Sequence, residues 1–284
     1  MITRQAVFSG SWYPRTASEC QHEIKRYVQS STLSTDGADT YVGGIVPHAG
    51  WYFSGSIACD VIRSLSQSVS SPDAVVIFGT HLYPDSPVAI MSEGAWETPL
   101  GNILIHESLA RELAIRIPSC IHSPENHSPD NTIEVQLPLI KYFWDTVKIV
   151  PISVPPESRS IEAGQIVAAA AQEMGLRIVV VGSTDLTHYG STYGFTPQGR
   201  GETALRWVKN VNDRNVIDAM LSMNPQNILQ EARENHNACC AGAAAASLSA
   251  GMALGSTGSK LVAYTTSHEK SPGESFVGYA GILF

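Results

Sequence analysis

The chain has 284 residues, 43% of them hydrophobic and 15% charged, which excludes a disordered chain and leaves a core that needs no disulfide or structural metal. Lysine and arginine number 18 against 26 acids, a formal charge of -8, which argues against nucleic acid or an anionic membrane as the main partner. No apolar run approaches the roughly 20 residues that cross a bilayer, the first residues lack a signal-peptide layout, and Cys20, Cys59, Cys120, Cys239 and Cys240 form no framework spacing, so a cytoplasmic protein with free thiols is expected.

Short β-branched runs alternate along the chain with longer helical periods. The pattern predicts a strand over 41–46, a helix over 56–65 and a strand over 74–78. A helix follows over 108–117, where Leu109, Leu113 and Ile117 draw one apolar stripe. Next come a strand over 148–154, a helix over 161–174 with Gly175 placed to cap it, and a strand over 177–181. A helix over 202–211 and strands over 260–265 and 276–283 complete the set. Such alternation implies a layered α/β domain, its sheet largely parallel and covered by helices on both faces. No repeat or linker divides the chain, and Pro155-Pro156-Glu157-Ser158 reads as a loop, so one domain over 1–284 is expected.

Three predicted strands run straight into a histidine: Ile45-Val46-Pro47-His48, Val76-Ile77-Phe78-Gly79-Thr80-His81, and Val180-Val181-Gly182-Ser183-Thr184-Asp185-Leu186-Thr187-His188. In open parallel sheets the ligand crevice lies beyond the carboxyl ends of the strands. If these strands are neighbours, three imidazoles and the Asp185 carboxylate converge there. Each histidine taken alone more often just caps a strand or bonds to a carbonyl; three in one topological place, sharing an aspartate, favour a site. Glycines at 50, 79 and 190 allow tight turns beside them. Cys240 stands just before Ala243–Ala246, an alanine run of high helix propensity, and a thiol at a helix amino end is biased towards thiolate. Cys239 is expected to be the structural member of the pair.

Two imidazoles with one anionic ligand and open positions suit a non-haem iron centre, the anion being Asp185 or Cys240. A thiolate ligand would be softer and admit copper or zinc. An off-metal His188, with Asp185 three residues before it, can act as acid or base. The same residues also fit a metal-free hydrolase, with Cys240 as nucleophile, His188 as base and Asp185 as the orienting acid. That scheme leaves His48 and His81 without a task.

Several segments together resemble the Memo family, called in prokaryotes the AmmeMemoRadiSam system protein B, nearly end to end. They are Gly10-Ser11-Trp12-Tyr13-Pro14, Pro47-His48-Ala49-Gly50-Trp51-Tyr52-Phe53-Ser54-Gly55, Gly79-Thr80-His81, Thr98-Pro99-Leu100-Gly101, Glu134-Val135-Gln136-Leu137-Pro138, Ser183-Thr184-Asp185-Leu186-Thr187-His188-Tyr189-Gly190 and Val277-Gly278-Tyr279. Two departures stand out. Asn131 replaces a family histidine, with His127 upstream as a candidate substitute, and Cys239 precedes Cys240-Ala241-Gly242 where the family reads Cys-Gly.

The resemblance implies the fold of class III (LigB-type) extradiol dioxygenases, a single αβα sandwich with a central, largely parallel or mixed sheet and its active site at a sheet edge. It implies His48, His81 and Cys240 as metal ligands, with His188 and Asp185 as proton-handling residues beside them. The implied cofactor is mononuclear iron(II), with copper or zinc as alternatives. The implied function is a dioxygenase-like oxidoreductase acting on a small, aromatic substrate. The alternative class is a binding protein that holds copper or iron, or a phosphorylated or anionic partner, without turnover. Kinship also implies functional association with a radical-SAM protein and an AMMECR1-like protein. Trp51, Tyr52, Glu134 and His127 are the expected substrate-binding residues, although packing explains the aromatic pair equally well and Glu134 equally suits the opening of a helix. His22, His106, His122, His236 and His268 show no partner pattern and are expected at the surface or in packing.

Overall fold

The structure is a computed structural model and describes residues 2–33, 40–123, 125 and 128–284. Nine of its strands form one mixed sheet: β1 (Gly43–Val46), β2 (Ala74–Gly79), β3 (Val88–Met91), β4 (Ser119–His122), β5 (Lys148–Ser153), β6 (Ile178–Ser183), β7 (His188–Tyr189), β8 (Lys260–Thr266) and β9 (Phe276–Leu283). Their order is β7-β9-β1-β6-β2-β5-β3-β4, with β8 on β9. The four central strands β1, β6, β2 and β5 are mutually parallel, whereas β9 is antiparallel to β1 and β3 to β5. Central strands such as Ala74–Gly79 and Ile178–Ser183 are buried throughout, the pattern of strands covered on both faces. Register then decides the site: Val46 pairs with Ser183, Phe78 with Gly182, and Gly79 with Ser153, so the carboxyl ends of all four strands share one rim.

Ten α-helices occur among the described residues: α1 (Ala17–Ser30), α2 (Trp51–Ser68), α3 (Glu107–Arg116), α4 (Asn131–Glu134), α5 (Leu137–Phe143), α6 (Ser158–Glu173), α7 (Glu202–Trp207), α8 (Asp213–Leu221), α9 (Pro225–Asn235) and α10 (Ala241–Ala253). One face of the sheet is covered by α2 with α1 and α5, the other by α10, α6, α3 and α9. The αβα sandwich with a mixed, centrally parallel sheet is the architecture the alternation predicts.

Helix α10 needs slimness more than amphipathicity. It is buried over Ala241–Gly251, and alanine lets backbones approach closely. A Cβ on Gly182 of β6 would lie 2.2 Å from Ser247 Oγ and 2.5 Å from the Ala243 carbonyl oxygen. One on Gly164 of α6 would lie 2.2 Å from the Ala246 carbonyl. This close seat brings the amino end of α10, where Cys240 is the N-cap, onto the rim of the sheet.

One predicted helix needs correction. The segment 202–211 is not one α-helix; α7 ends at Trp207, and a π turn over Val208–Asn212 leads into α8. The wider turn carries the buried Asn212 amide, which donates to Thr187 Oγ1 at 3.0 Å and to the Asn235 carbonyl at 3.1 Å. A small second sheet joins Thr3–Arg4, Ala95–Trp96 and Ile103–Leu104, with the Arg4 guanidinium 3.7 Å from the Trp96 ring centre. Among the described residues no helix is long and apolar enough to cross a membrane.

Candidate metal centre

His48 follows β1 and is only 2% exposed. Asp185 fixes its backbone, Oδ1 accepting the His48 amide at 2.7 Å, and the Asn131 side chain donates to its carbonyl at 2.9 Å. Ser183 fixes its ring. The Ser183 hydroxyl donates to the Thr132 carbonyl at 2.6 Å, so its oxygen is left to accept at 3.2 Å from His48 Nδ1–H. That assignment leaves the Nε2 lone pair facing the rim, the tautomer of an imidazole ready to ligate.

His81 is reached through a strained residue. Thr80, β-branched, has φ 77°, a conformation that costs energy and persists only when its surroundings hold it. They do: Thr80 N–H donates to Thr132 Oγ1 at 2.7 Å, and its hydroxyl meets Ser153 Oγ at 2.7 Å. The turn swings the His81 ring to 5.0 Å from the His48 ring, with Nδ1 3.6 Å from Asp130 Oδ2 and 46% of the side chain exposed. Asp130 itself is held by the Thr132 amide and hydroxyl.

Both thiols come to these rings. Cys239 Sγ lies 3.2 Å from His48 Nε2 and accepts the Asp185 backbone N–H at 3.3 Å; Cys240 Sγ lies 3.7 Å from the Thr80 carbonyl. Ligand atoms of His48, His81, Cys239 and Cys240 all fall within 4.8 Å of one another. Sequence reasoning set Cys239 apart as structural, yet the structure brings it into the same group. Its adjacency to Cys240 alone does not reveal this, because neighbouring side chains commonly diverge.

The protons are shared out accordingly. The Asp130 hydrogen bond, followed by that of Cys239, pushes His81 up to about 10. Burial opposes charge on His48, but Asp185 and Cys239 outweigh it and raise its pKa. Burial likewise opposes a Cys239 thiolate, but the Cys240 thiol and both imidazoles override it and lower the pKa well below the usual thiol value. Cys240 moves the other way, raised by its hydrogen bond to Cys239 and by burial. A metal cation bound here would displace the protons that the thiols and imidazoles carry. The donors also fit in size: an ion about 2.3 Å from sulfur and about 2.0 Å from nitrogen sets its ligands about 3.3 to 3.8 Å apart. Modest side-chain rotations would close the present spread.

Beside the cluster, Asp185 is buried, and desolvation raises its pKa. His188 begins β7; its Nδ1 donates to the Leu186 carbonyl at 3.1 Å, leaving Nε2 as the acceptor. Tyr193 stands edge-on to it at 5.0 Å. These residues line a cleft of about 460 Å³ with His48, His81, Asn131, Trp12, Tyr52, Phe53 and Tyr279. Tyr52 therefore lies where expected, but two other expected substrate contacts do not. Trp51 is 2% exposed and spends its indole N–H on the Val135 carbonyl at 2.9 Å. Glu134 is buried beneath the amino-terminal loop, accepting from Phe8 N–H at 2.7 Å and Tyr13 O–H at 2.9 Å. His127 lies outside the described residues. Asn131, expected only as a missing histidine, is a cleft residue that buttresses His48.

Fold and rim together define a doubly covered α/β protein with a nitrogen–sulfur donor cluster at the carboxyl ends of its parallel strands. Residues 4–283 match the family described as Memo-like protein, and the chain belongs to the Memo family. A MEMO1 family protein of Pyrococcus furiosus is 34% identical over 293 residues, covering 99% of each chain. One of Thermococcus kodakarensis is 33% identical over 294 residues, covering 100% of this chain and 99% of its own. The crystal structure of an uncharacterized protein from Escherichia coli K12 shares the fold, with a TM-score of 0.55 at 13% identity over 85% of this chain and 98% of that one.

Proposed function

We propose that the protein is a metal-dependent, dioxygenase-like oxidoreductase that binds a small aromatic molecule in the rim cleft beside a mononuclear metal. Convergence of His48, His81 and the two thiols at that cleft carries the reading. His48, His81 and Cys240 would hold the ion: iron(II) for the dioxygenase-like chemistry, copper or zinc as the alternatives a thiolate admits. When bound, the metal supplies Lewis acidity and, for iron, one-electron chemistry with dioxygen. Tyr52, Phe53, Trp12 and Tyr193 offer faces and edges for an aromatic ring. The free Nε2 of His188 accepts a proton from a substrate hydroxyl, its ring held by the Leu186 carbonyl. Asp185 keeps the His48 backbone in place, and its second carboxyl oxygen lies 3.9 Å from His48 Nε2.

The cleft has no lysine or arginine among its described lining residues, which favours a neutral aromatic ligand over a phosphorylated one. A second reading, metal holding without turnover, gains support from the second thiol, because soft donors favour copper over oxygen-activating iron. Oxygen uptake by the iron(II)-loaded protein across a panel of catechols separates the two. The enzyme reading expects uptake that a chelator abolishes and that falls at least about 100-fold in His188→Ala. Silence across the panel together with tight copper binding supports holding, and cleavage of ester or amide substrates that survives chelation points instead to a Cys240–His188–Asp185 hydrolase.

A further inference from the structure

Cys240 is the thiol that the family pattern puts forward, but Cys239 lies closer to a ring nitrogen. Its sulfur is 3.2 Å from His48 Nε2 and receives the Asp185 amide N–H at 3.3 Å, with the Thr184 hydroxyl at 3.8 Å. Its own backbone N–H is anchored on the Asp185 carbonyl at 3.2 Å, and the Cys240 N–H on Thr184 Oγ1 at 3.0 Å. The Thr184-Asp185 dipeptide therefore grips both cysteine amides and holds the two sulfurs on the same side of the rim. Amide N–H groups aimed at a sulfur orient and stabilise a metal-bound thiolate. The four donor atoms lie within 4.8 Å of one another, with the Asp185 and Asp130 carboxylates behind the two imidazoles at 3.9 and 3.6 Å.

We propose that Cys239 is a second sulfur ligand beside Cys240, so that this chain builds a two-imidazole, two-thiolate seat for a soft closed-shell cation, zinc or copper(I). The inference rests on the proposed metal centre and names the ion class that it prefers. Two nitrogens and two sulfurs are the tetrahedral set of such ions, and each added thiolate shifts affinity away from iron(II). Iron(II) chemistry at this centre then depends on which ion is supplied, not on affinity alone.

Cobalt(II), added to the metal-free protein, reports sulfur ligation through its sulfur-to-metal charge-transfer band. The band is expected to fall by about half in Cys239→Ser and equally in Cys240→Ser, to vanish in the double variant, and to be lost with binding in His48→Ala. Competition between zinc and iron(II) should favour zinc in the wild type, with the preference dropping about tenfold or more in Cys239→Ser. X-ray absorption of the zinc-loaded wild type counts sulfurs without any variant: two are expected. One sulfur per zinc, or an unchanged cobalt band in Cys239→Ser, overturns the role of Cys239 and leaves a centre built on Cys240. If the wild type binds none of cobalt, zinc or copper(I), the metal centre itself fails, and Cys239 with it.

Discussion

Two buried polar clusters hang on the same stretch between Ser183 and Tyr189, and they behave oppositely. Behind His188, Asp213 accepts the Thr187 amide at 3.0 Å, the Thr187 hydroxyl and the Tyr264 hydroxyl at 2.7 Å, while Asn212 donates back to Thr187 Oγ1. Every strong donor there meets an acceptor, and nothing points outward. At the rim, by contrast, ligand atoms of two imidazoles and two thiols gather within 4.8 Å of one another beside an open cleft. A polar cluster that completes itself is scaffold; one whose nitrogen and sulfur donors converge is the kind that can hold a cation, as proposed above. The first stabilises the loop that presents the second.

The largest effect that sharpens this contrast comes from neither cluster. Gly182→Ala places a Cβ against Ser247 Oγ and the Ala243 carbonyl, and must push α10 and both cysteines off the rim. We expect a loss of about 3 kcal/mol by urea unfolding together with loss of metal binding. Asp213→Ala is next, at about 2 to 3 kcal/mol, because it strands the Thr187 amide and the Tyr264 hydroxyl; cobalt binding to the folded fraction should survive. Wild-type affinity lost in that variant would break the division between scaffold and site.

A pH series is the finer version. Burial pushes Asp213 up to about 6 despite hydrogen bonds from Thr187 and Tyr264. Its folded pKa exceeds its unfolded one, so its contribution to stability is complete below about pH 4 and is lost as pH rises through about 6. The difference in unfolding free energy between wild type and Asp213→Asn should therefore change across that window and be flat above about pH 7. A flat difference throughout would contradict the buried acid. The smallest effect separates packing from cleft. Trp51→Phe removes the indole bond to Val135 and should cost about 1 kcal/mol without changing affinity for an aromatic ligand, whereas Tyr52→Ala should weaken that affinity and leave stability nearly unchanged. The reverse outcome would put Trp51 back in the cleft.

What the sequence made legible follows from periodicity and topology. The central strands were readable as continuous apolar runs, and three histidines at their ends followed from where crevices form in parallel sheets. Helix α1 carries its own signal, the Thr16 and Glu19 capping box that marks its start. The outer strands β3 and β4, of which β4 forms the edge, are four residues each and too short to show a period. The π turn before Asp213 serves a tertiary need of Asn212, so no local pattern announces it. At the site, sequence supplied His48, His81, Cys240, Asp185 and His188, because each follows a strand or opens a helix. It did not supply Cys239, whose place depends on how Thr184 and Asp185 grip the backbone, nor Asp130 and Asn131, which reach the rim only through the packing of α4. Trp51 was ambiguous by type alone, since a tryptophan beside a histidine walls a pocket or fills a core with equal ease.

Diffraction at the zinc absorption edge, on crystals of the protein loaded with zinc, asks most directly whether these side chains surround one ion. A single anomalous peak within bonding distance of His48 Nε2, a His81 ring nitrogen and sulfur at residues 239 and 240 is the predicted result. Zinc bound elsewhere, or an undiminished peak at the rim in His48→Ala, would contradict it.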